Sequence, residues 1–176
     1  QTSGNIKNWL TTRAYRKTFP AGSKKFYRFY SYDDMQIFFD ELADIINKSD
    51  SLGNYLHSLW EKSTGDDADN KPLLADLISQ SFPKSSIVPK GRTSANKRIH
   101  MFLRWMVRQN SPIDLGLWSW YPASSLLIPL DTHVMQEAQK LGLLPQKATA
   151  SRKTAILLTK KMEEIFPGAP TRADYA

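Results

Sequence analysis

The sequence predicts an all-α protein of seven or so helices. Two observations carry that reading. Apolar residues recur at spacings of three and four along most of the 176 residues, and each run is bounded by a capping residue or by a Pro or Gly stop. Convincing strand alternation is missing as well. Only Phe26 to Tyr32 has the aromatic content of a strand, and a lone strand has no partner.

The elements follow in order. Asp33 or Asp34 is expected to cap a helix carrying Phe38, Phe39, Leu42, Ile45 and Ile46. Leu52, Tyr55, Leu56, Leu59 and Trp60 form a second, broken by Gly65-Asp66-Asp67. Leu73, Leu74, Leu77, Ile78 and Phe82 form a third, stopped by Pro83. Lys84 to Thr93 reads as a connector with Pro89 and Gly91. Ser94 is expected to cap the strongest helix, whose face is Ala95, Ile99, Phe102, Leu103, Met106 and Val107, with Pro112 ending it. Residues 111–129 are aromatic and interrupted. Asp131 or Thr132 opens a helix with Val134, Met135, Ala138 and Leu141, closed at Gly142. Ser151 caps a last helix with Ala155, Ile156, Leu158, Met162, Ile165 and Phe166, stopped by Pro167. The expected organisation is a basic aromatic segment, 1–32, ahead of a helical domain, 33–176.

Composition excludes several classes. The chain has 24 Lys and Arg against 17 Asp and Glu, a net charge of +7. Its distribution matters more than its size. From Leu77 to Ile113 there is no acid, and Lys84, Lys90, Arg92, Lys97, Arg98, Arg104 and Arg108 all lie there. Residues 1–32 are also acid-free and hold Lys7, Arg13, Arg16, Lys17, Lys24, Lys25 and Arg28. The remainder is acidic. With 41% hydrophobic residues the chain fills a core, which excludes a disordered basic protein. The longest uncharged stretch, Leu115 to Leu130, is broken by Gly116, Pro122 and Pro129, so no membrane span is expected. The absence of cysteine removes thiolate zinc sites, iron–sulfur clusters and Cys nucleophiles together, and fits a cytoplasmic setting. His57, His100 and His133 show no ligand spacing, and no metal is expected. No phosphate-cradling glycine motif and no GxSxG elbow is present.

What remains is Lys97 and Asp131, each expected in the first turn of a helix. The roughly half-unit of positive charge at a helix N-terminus disfavours a further cation and favours a carboxylate. A neutral amine beside a carboxylate is the inventory for imine chemistry at a sugar carbon. The plain alternative is a solvated Lys and an Asp that only caps its helix.

The string Pro129-Leu-Asp-Thr-His-Val134, followed by a helix ending Lys140-Leu-Gly-Leu143, resembles the Asp-bearing motif of the helix-hairpin-helix DNA glycosylase superfamily. In that superfamily the Asp of (V/L)DTHV is catalytic, and Asp131 is the matching position. Residues 96–108, Asn-Lys-Arg-Ile-His-Met-Phe-Leu-Arg-Trp-Met-Val-Arg, and Pro112-Ile-Asp-Leu-Gly-Leu-Trp118 are similar to an uncharacterised bacterial family within it. The resemblance covers about residues 26–176 and is most specific from 94 to 143. It implies a multi-helix glycosylase-type domain cut short at both ends, since relatives are usually longer. Bifunctional members carry a Schiff-base Lys early in the helix after the hairpin, where Lys97 stands. Its separation from Asp131 is similar to that of the archaeal 8-oxoguanine glycosylase type and longer than in the endonuclease III type. The usual Leu-Pro-Gly-(Val/Ile)-Gly hairpin is absent, and only Pro89-Lys-Gly91 occupies its place.

The resemblance implies excision of a damaged base, an oxidised purine among the candidates, with or without strand cleavage. The partner would be lesion-bearing double-stranded DNA, and no cofactor would be needed. Lys84, Lys90, Gly91, Arg92 and Arg98 are the candidate DNA contacts, and about five phosphate contacts give a log–log salt slope of roughly −4 to −5. Trp105, Trp118, Trp120 and Tyr121 are candidates to line a pocket for a flipped base, against the alternative that they are core. His133 is a candidate to support Asp131. The N-terminal cations are interleaved with Trp9, Tyr15, Phe19, Phe26, Tyr27, Phe29 and Tyr30, a mixture that suits nucleic acid or a covered surface. The rival from another class is a non-catalytic nucleic-acid-binding module on the same scaffold.

Overall fold

Helix α1 (Ile6–Thr11) begins where the Asn5 side chain accepts from the Asn8 N–H, and α2 (Tyr15–Thr18) follows after Arg13, whose φ is +55°. In this computed structural model residues 5–63 and 72–175 are described, and the chain divides into two compact units, 1–89 and 90–176. The Gly65-Asp66-Asp67 break lies outside the described residues.

The aromatic segment after α2 forms a hairpin, β1 (Lys25–Tyr27) antiparallel to β2 (Tyr30–Ser31), around the turn Arg28-Phe29. The segment read as a strand without a partner therefore supplies its own, by doubling back on itself. Helix α3 (Tyr32–Ser49) starts with a capping box: Ser31 Oγ accepts from the Asp34 N–H, and the Asp34 carboxylate accepts from the Ser31 N–H. Ser31 is thus the cap, and Asp34 sits three residues in, which corrects the expectation of an Asp cap. Helices α4 (Leu52–Ser63) and α5 (Leu74–Ser81) complete the first unit. Phe82 ends α5 ahead of Pro83 and stacks on Phe38 with ring centroids 5.5 Å apart.

The N-terminal residues are bound to α3. Leu10, Tyr15, Phe19 and Ala43 form one buried cluster, with Trp9 and Phe39 packed against it. Asp40 accepts from Arg13, Arg16 and the Tyr15 hydroxyl, and Asp44 pairs with Arg13. Burial alone would raise the Asp40 carboxyl, but these donors hold it below its usual range. Residues 1–32 belong to the same unit as α3 to α5.

In the second unit α6 (Lys97–Val107) opens at Asn96, held in the left-handed region at φ 44°, ψ 42° with no side-chain cap. Ser94, expected as the cap, instead bridges to Ser151. The helix stops at Val107, ahead of Pro112, because the chain turns back along its own end: Leu115 and Gly116 N–H groups donate to Trp105 O, and Trp118 N–H to Met106 O. Gly116, at φ +59°, has no room for a Cβ, which would lie 3.0 Å from Arg108 O. Helix α7 (Thr132–Lys140) has Asp131 as its cap and ends ahead of Gly142 at φ +72°. Helix α8 (Arg152–Ile165) is capped by Ser151 and stops before Pro167. Two 3₁₀ turns, Ala123–Ser125 and Pro170–Tyr175, complete the unit. No helix of the described residues is long and apolar enough to cross a membrane.

Candidate active site at the starts of α6 and α7

Two helix starts are brought together by one apolar cluster. Ala95, two residues before Lys97, and Leu130, one before Asp131, are both buried in it with Ile128, Ala138, Leu144, Ala155, Leu158 and Met162. The loop into α6 is fixed independently. Asn96 Nδ2 donates to Gly91 O at 2.7 Å, closing residues 91–96 into a tight turn. A Cβ on Gly91 would come within 3.1 Å of Ser94 Cβ, so a larger residue there would push the turn open by a few tenths of an ångström. Arg152 N–H then donates to Thr93 O at 2.8 Å, pinning the loop to the start of α8.

On that support Lys97 Nζ lies 2.5 Å from Asp131 Oδ2. The other carboxylate oxygen, Oδ1, accepts from Val134 N–H at 2.8 Å, the helix cap. The pair is half-open to solvent, with 41% of the Lys97 side chain and 28% of the Asp131 side chain exposed. Partial burial pushes the Asp131 carboxyl upward, but the hydrogen bonds from Lys97 and Val134 and the charges of Lys97 and His133 outweigh it and hold it below its ordinary value. The carboxylate is ionised at neutral pH and in contact with the amine proton. Chemically, this is an amine with its proton acceptor already in place. Among the described residues no group of three or more His, Cys, Asp or Glu could hold a metal ion.

A family model described as protein of unknown function (DUF2400) matches residues 3–176. The chain belongs to the DUF2400 family. No curated protein and no solved structure matches it.

The other expected site residues of this DUF2400 chain separate into three groups. Lys90, Gly91, Arg92 and Arg98 are exposed in the turn before α6 and in its first turn; Lys84 is exposed in the first unit, where its N–H donates to Glu41 Oε1. Among the aromatics, Trp118 is core: it is buried, with Phe102 in a T-shaped contact at 5.5 Å and Trp120 stacked at 5.8 Å. Trp105 is 43% exposed, and Tyr121 is buried. His133 is exposed and acts on Asp131 through its charge.

Arg104 and Arg108, two cations of the acid-free stretch, are only 5% and 15% exposed in their side chains. Their Nε atoms face the two oxygens of the fully buried Asp114 carboxylate at 3.5 and 3.4 Å. Arg108 also donates to Thr171 O. A cavity of about 630 Å³ sits at this C-terminal end of α6, lined by Arg108, Gln109, Asn110, Tyr121, Pro122 and Arg172 among others. The sequence held one signal for this cluster: Asp114 is the first acid after the long gap, and two arginines four residues apart precede it.

Proposed function

We propose that this DUF2400 chain is a DNA glycosylase-like protein on a helix-hairpin-helix scaffold. The contact between Lys97 Nζ and Asp131 Oδ2, made across 34 residues at two helix starts, is the observation that supports it. The glycosylase motif in which Asp131 stands adds to that support.

On this reading a damaged nucleotide is flipped from the duplex. Asp131 takes a proton from Lys97 Nζ, and the neutral amine attacks the anomeric carbon. The glycosidic C–N bond breaks, and its electron pair leaves with the base, which is then protonated. The sugar ring opens to an imine on Nζ, a proton is lost from the adjacent carbon, and the 3′ phosphate departs. Water then releases the amine. The exposed cations near the turn, Lys90, Arg92 and Arg98, would meet backbone phosphates.

Borohydride tests this directly, because hydride added to the imine carbon fixes the protein to DNA. With duplexes bearing an abasic site or an oxidised guanine, wild type is expected to give a covalent adduct and Lys97→Gln none. A wild type that never traps, or a Lys97→Gln that traps equally, would overturn the reading. The second reading is a non-catalytic nucleic-acid-binding module. It is favoured by the position of the 630 Å³ cavity at the far end of α6, roughly 15 Å along the helix from Lys97. Salt-sensitive duplex binding without trapping is its expected signature.

A further inference from the structure

Three exposed side chains at the tip of the β1–β2 hairpin are left without a role by the chemistry above. Phe29 is 84% exposed, Tyr27 58%, and the Arg28 guanidinium lies over the Tyr27 ring, 5.4 Å from its centroid. The tip is held from below. Phe26 packs edge-on against Phe19 at 5.0 Å and meets Tyr32 at a tilt at 5.5 Å, and Phe19 belongs to the core cluster with α3. An anchored aromatic pair projecting into solvent has little to gain unless something covers it.

The charge around the tip says what would. Lys24, Lys25 and Arg28 are exposed and have no carboxylate partner among the described residues. The nearest acids in sequence are already engaged: Asp33 accepts from Gly22 N–H, and Asp34 from Ser31 and Ser86. Of the other cations of this block, Lys7 pairs with Asp50, Arg13 with Asp40 and Asp44, and Arg16 with Asp40, and Lys17 is exposed on α2; none of the four is part of the tip. Cations and flat faces are thus interleaved, Lys25-Phe26-Tyr27-Arg28-Phe29, on a short two-stranded ribbon. The turn is also paid for in backbone geometry. Arg28 occupies φ +51°, a conformation that glycine adopts without strain, so a long cation is held where a smaller residue would fit better.

We propose that this hairpin is a base-stacking site for single-stranded nucleic acid, with Phe29 and Tyr27 stacking on bases and Lys24, Lys25 and Arg28 meeting phosphates. Every base offers a flat face, so such a platform binds without reading sequence. The site stands apart from the Lys97–Asp131 chemistry. It holds a strand whether or not an imine ever forms.

The test is binding of the full chain to a lesion-free, fluorescently labelled oligonucleotide of about 15 thymidines, followed by anisotropy between about 50 and 200 mM salt. Phe29→Ala is expected to weaken binding about tenfold, within the range seen for one stacked base. Phe29→Leu is expected to lose nearly as much, since a leucine buries apolar surface but cannot stack. Arg28→Gly fits the backbone, keeps the fold, and should flatten the log–log salt slope by about 0.7. Equal binding by wild type and Phe29→Ala would overturn the proposal. So would a Phe29→Leu protein that binds like wild type, which would mean simple apolar burial. Phe29-dependent binding to phosphatidylserine vesicles but not to the oligonucleotide would reassign the hairpin to a lipid surface. Lesion-free binding is read without borohydride, so failure here leaves the imine proposal standing, and the reverse also holds.

Discussion

Asp131 spends its two oxygens on different tasks, and substitutions separate them. Asn keeps one acceptor and remains a good helix cap, so Asp131→Asn is expected to cost under about 1 kcal/mol. Ala removes the cap and the ion pair together, and Asp131→Ala is expected to cost about 1–2 kcal/mol, most of it from the cap because the Lys97 contact is half-exposed. Urea unfolding of both proteins measures the difference, and both are expected to lose borohydride trapping. The pH dependence has a fixed sign. The folded carboxyl lies below its ordinary value of 3.8, so the unfolded chain takes up the proton first as pH falls. The contribution is complete above about pH 5 and is lost as pH drops through 4 toward the lower folded value. Asp40 and Asp34 are depressed in the same direction, Asp34 mainly by the Ser86 hydroxyl, and add to the same acid limb. Asp131→Asn is therefore expected to flatten that limb in urea midpoints measured from about pH 3 to 7, and an unchanged limb would mean the Lys97 contact is absent in solution.

At the scale of elements, α6 is held at both ends by residues that lie outside it. Its C-terminal half depends on Asp114, whose buried carboxylate faces Arg104 and Arg108. Asp114→Ala leaves two buried guanidinium groups facing each other and is expected to destabilise by about 3–5 kcal/mol, read as a lowered thermal midpoint. Asp114→Ala should exceed Gly116→Ala, which strains one turn against Arg108 O. These two ends show how far local pattern reaches. Ser151, Asp131 and Gly142 announce helix boundaries because a cap or a glycine stop is a local event, and each stands where the spacing put it. Ser31 escaped notice because in a capping box the acid, Asp34, is as visible as the cap. Ser94 has the chemistry of a cap, but its hydroxyl accepts from Asn96 N–H and the helix begins only at Lys97. Arg104 and Arg108 illustrate the same limit. Their spacing puts them on one face, yet the choice between a wet and a buried face belonged to Asp114. The approach of Lys97 to Asp131 has no local signature either; it entered through the motif around Asp131, and spacing alone left it open.

For the whole molecule, the +7 charge divides into cations already matched internally and cations facing outward. Lys7, Arg13 and Arg16 of the first block, and Lys97, Arg104 and Arg108 of the second, are paired with carboxylates. At most four cations in each block of seven remain for an outside polyanion. If phosphates are gripped by the second block alone, the duplex-binding slope is expected near −4, and with both blocks near −7, at about 0.9 per phosphate. Titrations across about 50–200 mM salt distinguish the two. The pin between Thr93 and Arg152 bears on the order in which the chain is made. At about 5–20 residues per second, Lys97 emerges from the ribosome roughly 3–10 seconds before the residue that steadies its loop. A nascent chain halted between them carries the amine without its finished cradle. The Lys97–Asp131 pair thus gains its full support late in synthesis, and an interrupted chain is left with Lys97 on an unpinned loop.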